Sequence, residues 1–162
     1  MVKIVVNDKR KLIENLDTLP LPARDLLSMD KYEMPGTLLT SRGCPNTYAF
    51  CTHSICGYTR RGHSEKRVIE EIKVLMNYDV KEINIIDDKF SYDVELAKNI
   101  MKSILTKDSN KKIKLYFYNG LRADRIDEDL LKLMKKAGTQ LISFGLESAD
   151  NVVLKKLERV LL

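Results

Sequence analysis

Four times along this chain a short β-branched or aromatic run is followed by a cap residue and an amphipathic helix pattern. No other feature restricts the fold as strongly. The runs are Thr37 to Thr40, entered through Pro35-Gly36, Lys81 to Ile86, Ile113 to Tyr118, and Leu141 to Gly145. Their character is that of strands buried on both faces, as in a parallel sheet, with Ile83, Ile85, Ile113, Leu115, Leu141 and Ile142 expected inside. Ser64 can cap a helix running to about Asn77, with Val68, Ile69, Ile72, Leu75 and Met76 on one side. Asp93, Asp127 and Asp150 can cap three more, and Gly138 is a ready stop for the third. Strand then helix, four times over, predicts an α/β fold with right-handed βαβ crossovers.

The chain has 162 residues, enough for one domain of ordinary size. Apolar residues make up 44 % and charged residues 31 %, which excludes the disordered and fibrous classes. No apolar run approaches the about 18 residues needed to cross a bilayer, so no membrane partner is expected. The start, Met1 to Asp8, is charged too soon for a signal peptide, which points to the cytoplasm. A net charge of +5 is modestly basic, and Lys132, Lys135, Lys136, Lys155 and Lys156 fall on outer helix faces. No basic run alternates with aromatic residues, so no nucleic acid is expected as a partner. Residues 1–35, with Leu19-Pro20-Leu21-Pro22, have little capacity for a core of their own and are expected to form a linker or packed arm.

The chemistry-bearing stretch runs from Ser41 to His53, directly after the first strand. In parallel α/β folds function gathers at the carboxyl ends of strands. All three cysteines, Cys44, Cys51 and Cys56, lie in or just beyond this stretch. Such a cluster suits a metal or redox site better than a disulfide framework. Zinc is one reading, because Cys44, Cys51, His53, Cys56 and His63 offer more than four ligands, although paired C-x2-C units are missing. Cys56 is also readable as a small, partly buried thiol with no ligand role.

The stretch resembles the cluster loop of the radical S-adenosylmethionine (radical SAM) superfamily, which spaces three cysteines C-x3-C-x2-C. Cys44, Pro45, Phe50 and Cys51 match that pattern, and the middle cysteine position is Tyr48. Arg60 to Ser64 resembles the family's basic turn into its first helix, and Lys81 to Phe90 its second strand with an acidic pair at the end. Asn119 to Asp124 and Phe144 to Ser148 resemble the third and fourth strand ends. Ile13 to Asp25 is similar to the linker before the core in the cobalamin-binding subgroup.

The resemblance implies a partial (βα) barrel of about four parallel strands with outer helices, incomplete relative to the six-stranded radical SAM core. It divides the chain into an arm, 1–35, and a truncated core, 36–162. It also implies a [4Fe–4S] cluster whose three thiolates hold three irons while the fourth iron chelates SAM. Cys44 and Cys51 are the implied ligands; Cys56, five residues beyond Cys51, is within chain reach as a replacement third, although in the family this stretch leads toward the first helix. A phenol with a pKa near 10 is a poor substitute for a thiolate, so Tyr48 leaves the cluster under-ligated. Asp87 and Asp88 sit where the family contacts the SAM amino group, and Glu147 and Ser148 suit its ribose or methionine end. Read without the family, Asp87-Asp88 is an acidic helix-entry turn, and Glu147-Ser148 an acidic helix start. Arg122 can pair a carboxylate, with Asp124 and Asp127 as nearby partners. No histidine precedes His53, so the Asp-x-His cobalamin signature is missing and the cobalamin domain is expected to be absent from this chain.

The leading expectation is therefore a radical SAM-like protein that takes SAM as its small-molecule partner and is impaired by truncation and Tyr48. The competing readings are a non-catalytic interaction subunit that completes a partner's barrel, and a small Cys/His zinc protein. The open edge of the last strand predicts self-association or pairing with a partner chain.

Overall fold

The computed structural model describes residues 4–8, 10–51, 59–108 and 112–157. In chain order it has β1 (Thr37–Leu38), β2 (Ser41–Arg42), β3 (Arg61–Gly62), α1 (Glu65–Asn77), β4 (Glu82–Ile85) and α2 (Val94–Lys107). β5 (Lys114–Leu121), α3 (Glu128–Lys136), β6 (Thr139–Phe144) and α4 (Asn151–Lys156) follow. The main sheet has four strands in the order β1-β4-β5-β6, all parallel, so the α/β class and the strand number agree with the βα rhythm. None of the described helices is long and apolar enough to cross a membrane.

The four described helices begin where cap chemistry puts them. Ser64 accepts from the Arg67 amide, Asp93 from Leu96, Asp127 from Leu130, and Asp150 from Val152 and Val153. Each cap satisfies an amide that the first helical turn leaves without a partner. Gly138, at φ +92°, follows α3, and a Cβ there would sit 2.4 Å from the Ile113 carbonyl oxygen. That close approach lets β6 start at Thr139, two residues before the expected start at Leu141.

Burial on both faces is the expectation that the structure corrects. Ile83, Ile85, Leu115 and Phe117 are at most 2 % exposed and pack against Ile72, Leu75, Ile100, Ile104 and Met134 of the helices. On the opposite face Asn84 is buried, Tyr116 is half-buried, and Glu82 and Tyr118 are exposed. Leu141 and Ile142 are only half-buried, because β6 is an edge strand. β4 is buried continuously from Ile83 to Ile85, whereas β5 alternates and β6 is half-covered where continuous burial was expected.

The arm packs onto the core. Leu16 is buried, and Arg24 donates to Glu71 (2.8 Å), to the Thr37 carbonyl (2.7 Å) and to the Pro35 carbonyl (3.2 Å). Arg67 shares Glu71 at 3.3 Å and donates to the Pro20 carbonyl at 3.0 Å. Two arginines and one carboxylate thus tie the arm and the start of β1 to α1.

Candidate functional site

The loop after β1 has a pinned neck. Ser41 pairs with Gly62 and Arg42 with Arg61 in the short antiparallel β2–β3 ladder, and the His63 amide donates to the Thr40 carbonyl at 2.8 Å. No feature of the strand pattern announces this ladder. It brings residues 41–42 and 61–62 together at the carboxyl end of the sheet.

The acidic pair at the end of β4 holds that neck. Asp87 is 2 % exposed, and its carboxylate accepts from the Thr40 amide (2.6 Å), the Thr40 hydroxyl and the Ser41 hydroxyl (2.6 Å). Burial outweighs these three donors and holds the Asp87 carboxyl above the usual carboxylate range. Asp88 is half-buried and accepts from the Gly43 amide at 3.1 Å, immediately before Cys44. Both carboxylates therefore reach across to the segment that launches the cysteine loop.

Cys44 is buried and Cys51 is exposed. The Asn46 amide donates to the Cys44 sulfur at 3.2 Å, and the Arg122 guanidinium donates to the Asn46 side-chain oxygen at 3.2 Å. Tyr48 is 8 % exposed, stacks on Phe50 with ring centroids 5.6 Å apart, and accepts a hydrogen bond from Arg122 at its phenol oxygen. The Arg122 cation lies 5.7 Å from the Tyr48 ring centroid and also forks onto Asp124. The guanidinium beside Asp124 holds that carboxyl below its usual range. Arg122 leaves the carboxyl end of β5, so the network ties the first strand's loop to the third strand's end.

Among the described residues no three His, Cys, Asp or Glu side chains converge closely enough to hold a metal ion. Among the described residues two cysteines are present where a cluster loop needs three, and the group between them is a phenol engaged by a cation. The described donors do not fit a three-thiolate [4Fe–4S] site. Cys56 and His53 lie outside the described residues, so their ligand roles do too.

At the end of β6, Glu147 is exposed and its φ of +65° is left-handed, a strained conformation for a side chain of this size. The Ser148 amide donates to the Leu146 carbonyl at 2.8 Å, and its hydroxyl accepts from the Asp150 amide at 3.0 Å. The candidate residues thus fall into two groups. Asp87 and Asp88 meet the cysteine loop, while Glu147 and Ser148 shape the turn into α4. Of the two carboxylates expected for Arg122, Asp124 is its partner while Asp127 pairs with Lys98 at 2.7 Å, and sequence reasoning missed Asn46 and the Tyr48 phenol as further partners. The usable signal was a cation at a strand end in a chain whose cluster position carries a hydroxyl.

A parallel βα sheet with its cysteine loop launched from the first strand, and braced by the ends of the next two, is an α/β core of the barrel type. The model of the radical SAM superfamily matches residues 38–160, and the chain belongs to that superfamily. It is 38 % identical over 152 residues to "Uncharacterized methyltransferase PH0819" of Pyrococcus horikoshii, covering 90 % of this chain and 32 % of that protein. It is 31 % identical over 159 residues to "Cytidylyl-2-hydroxyethylphosphonate methyltransferase" of Streptomyces wedmorensis, covering 88 % of this chain and 29 % of the relative. The fold matches the radical SAM methyltransferase TsrM of Kitasatospora setae, solved with cobalamin and a [4Fe–4S] cluster bound. That match has a TM-score of 0.71 and 18 % identity over 77 % of this chain and 24 % of that one. The chain spans about a third of the length of the two sequence relatives.

Proposed function

We propose that this chain is a SAM-binding core whose cluster loop is under-ligated, so that SAM is held weakly and is not reductively cleaved. Tyr48 carries the reading: it stands at the middle ligand position, buried, with its phenol taken by Arg122. The relatives named as methyltransferases support SAM as the ligand class. In this reading residues 1–35 are an arm and 36–162 the core. Asp88 meets the amino group, Glu147 and Ser148 the ribose or methionine end, and Asp87 holds the neck of the cysteine loop. The edge position of β6 supports a second role, pairing with another strand.

Calorimetry with SAM should give an affinity in the millimolar range, roughly 4 kcal/mol of binding. Anaerobic reconstitution should load well below the full iron complement of a [4Fe–4S] cluster, and dithionite should release no deoxyadenosine. Deoxyadenosine that disappears in Cys44→Ala would overturn the impaired reading. Tight zinc without sulfide would replace it with a Cys/His zinc site.

A further inference from the structure

At the opposite end of the sheet from the cysteine loop, a cavity of about 400 Å³ opens on the helix-free face. Its floor is the amino-terminal part of β4 and β5, and residues 29–35 of the arm form its far wall. The chain as a whole is basic, at +5, yet this cavity is rimmed by Asp30, Glu33, Asp79 and Glu82 against one lysine, Lys81. Lys81 pairs with Asp79 at 3.2 Å, and Glu82 is answered by Lys114 at 3.0 Å. Asp30 and Glu33 make no ion pair among the described residues. The rim repels anions.

The floor is aromatic. Tyr116 and Tyr118 project from the same face of β5, with rings 5.7 Å apart and within 6° of parallel. Tyr78 closes one side and Met29 and Met34 another. The two rings are stacked on each other and both line the cavity, and the electron-rich face of a phenol ring attracts a diffuse positive charge.

Asn84 supplies an independent pointer. It sits between Ile83 and Ile85, which face the helices, so its amide faces the cavity, beside Tyr116 in register. It is 4 % exposed, and its side chain makes no hydrogen bond among the described residues. The amide lines the cavity, so a ligand seated there would be within its reach.

From this geometry we infer that the cavity is a binding site for a small organic cation, an ammonium or methylated ammonium. The ligand would lie over Tyr116 and Tyr118, beneath Asp30 and Glu33, within reach of the Asn84 amide. A bare metal ion fits poorly, because no three carboxylates converge among the described residues. A compact cation with apolar substituents uses both the rings and the rim.

The test is a proton NMR titration of the full chain with tetramethylammonium, whose methyl resonance moves upfield when it lies over tyrosine rings. The neutral isostere tert-butanol is the control. Tetramethylammonium should shift and tert-butanol should not. The apparent Kd should rise about tenfold in Tyr116→Leu and about threefold in the double variant Asp30→Asn, Glu33→Gln. The two carboxylates are exposed on the arm, so the double variant still reads the site if Tyr116→Leu fails to fold. No shift at roughly 100 mM probe, equal shifts for both compounds, or a shift unchanged in the double variant would each overturn the proposal.

Discussion

Arg122 donates to the phenol oxygen of Tyr48 while its cation lies over the same ring, 5.7 Å from the centroid. One side chain thus meets the tyrosine through both its edge and its face. The position between Cys44 and Cys51 is built into the protein's own packing, which is a stronger statement than the absence of a thiol.

Tyr48→Phe keeps the ring and its cation contact but leaves the guanidinium one acceptor short. The expected cost is about 1–2 kcal/mol in urea denaturation. Tyr48→Cys should raise the iron retained after anaerobic reconstitution, and Tyr48→Phe should not. Equal iron in the two variants would show that ligand identity at this position is irrelevant.

Asp87 gives a pH prediction. Burial raises its pKa in the folded chain, so between the ordinary carboxylate range and that raised value the folded state binds more protons than the unfolded state. Stability therefore falls as pH rises through that window, and this contribution is greatest on its acid side. Asp87→Asn lacks the titration. Denaturation midpoints from about pH 4 to about pH 8 should fall more steeply in the parent than in the variant. Parallel profiles would contradict a buried, proton-retaining Asp87.

The four caps were legible because a cap is local chemistry: Asp127 serves Leu130 three residues away. The latch from Asp87 to Thr40 spans 47 positions, and the Arg122–Tyr48 bond spans 74. No periodicity carries such distances. The same limit explains the strands. Apolar content at Ile83, Ile85, Leu115 and Phe117 reports one buried face, but says nothing about whether a second layer covers Asn84 and Tyr116.

Glu71 is the common partner of two buried arginines, Arg24 and Arg67. Removing it in Glu71→Ala leaves both cations unpaired and should cost about 3–5 kcal/mol. Trypsin should then cut within residues 10–31 well before the helices are attacked. A variant whose arm resists cleavage as the parent does would mean that other contacts hold it.

The edge of β6 predicts association. Phe144 is 41 % exposed, and β5 is the only described neighbour of the strand in the sheet. Sedimentation should show mass rising with concentration, and Phe144→Lys should suppress the rise, because an edge charge discourages strand pairing. A parent chain that stays monomeric at high concentration would exclude the edge as an assembly surface.

β1 contributes only Thr37 and Leu38 to the sheet, docked through the Asn84 amide to the Gly36 carbonyl (2.9 Å) and the Ile86 amide to the Leu38 carbonyl (3.0 Å). The arm enters on one side of it and the cysteine loop leaves on the other. Detaching this one short element would release both together while β5, α2 and α3 stay closed. Such a sub-global opening requires far less free energy than complete unfolding. Amide exchange at Ile86 should accordingly outpace that at Leu115. If β1 opens first, the access of small reagents to Cys44 and Cys51 will follow a local equilibrium rather than the stability of the whole.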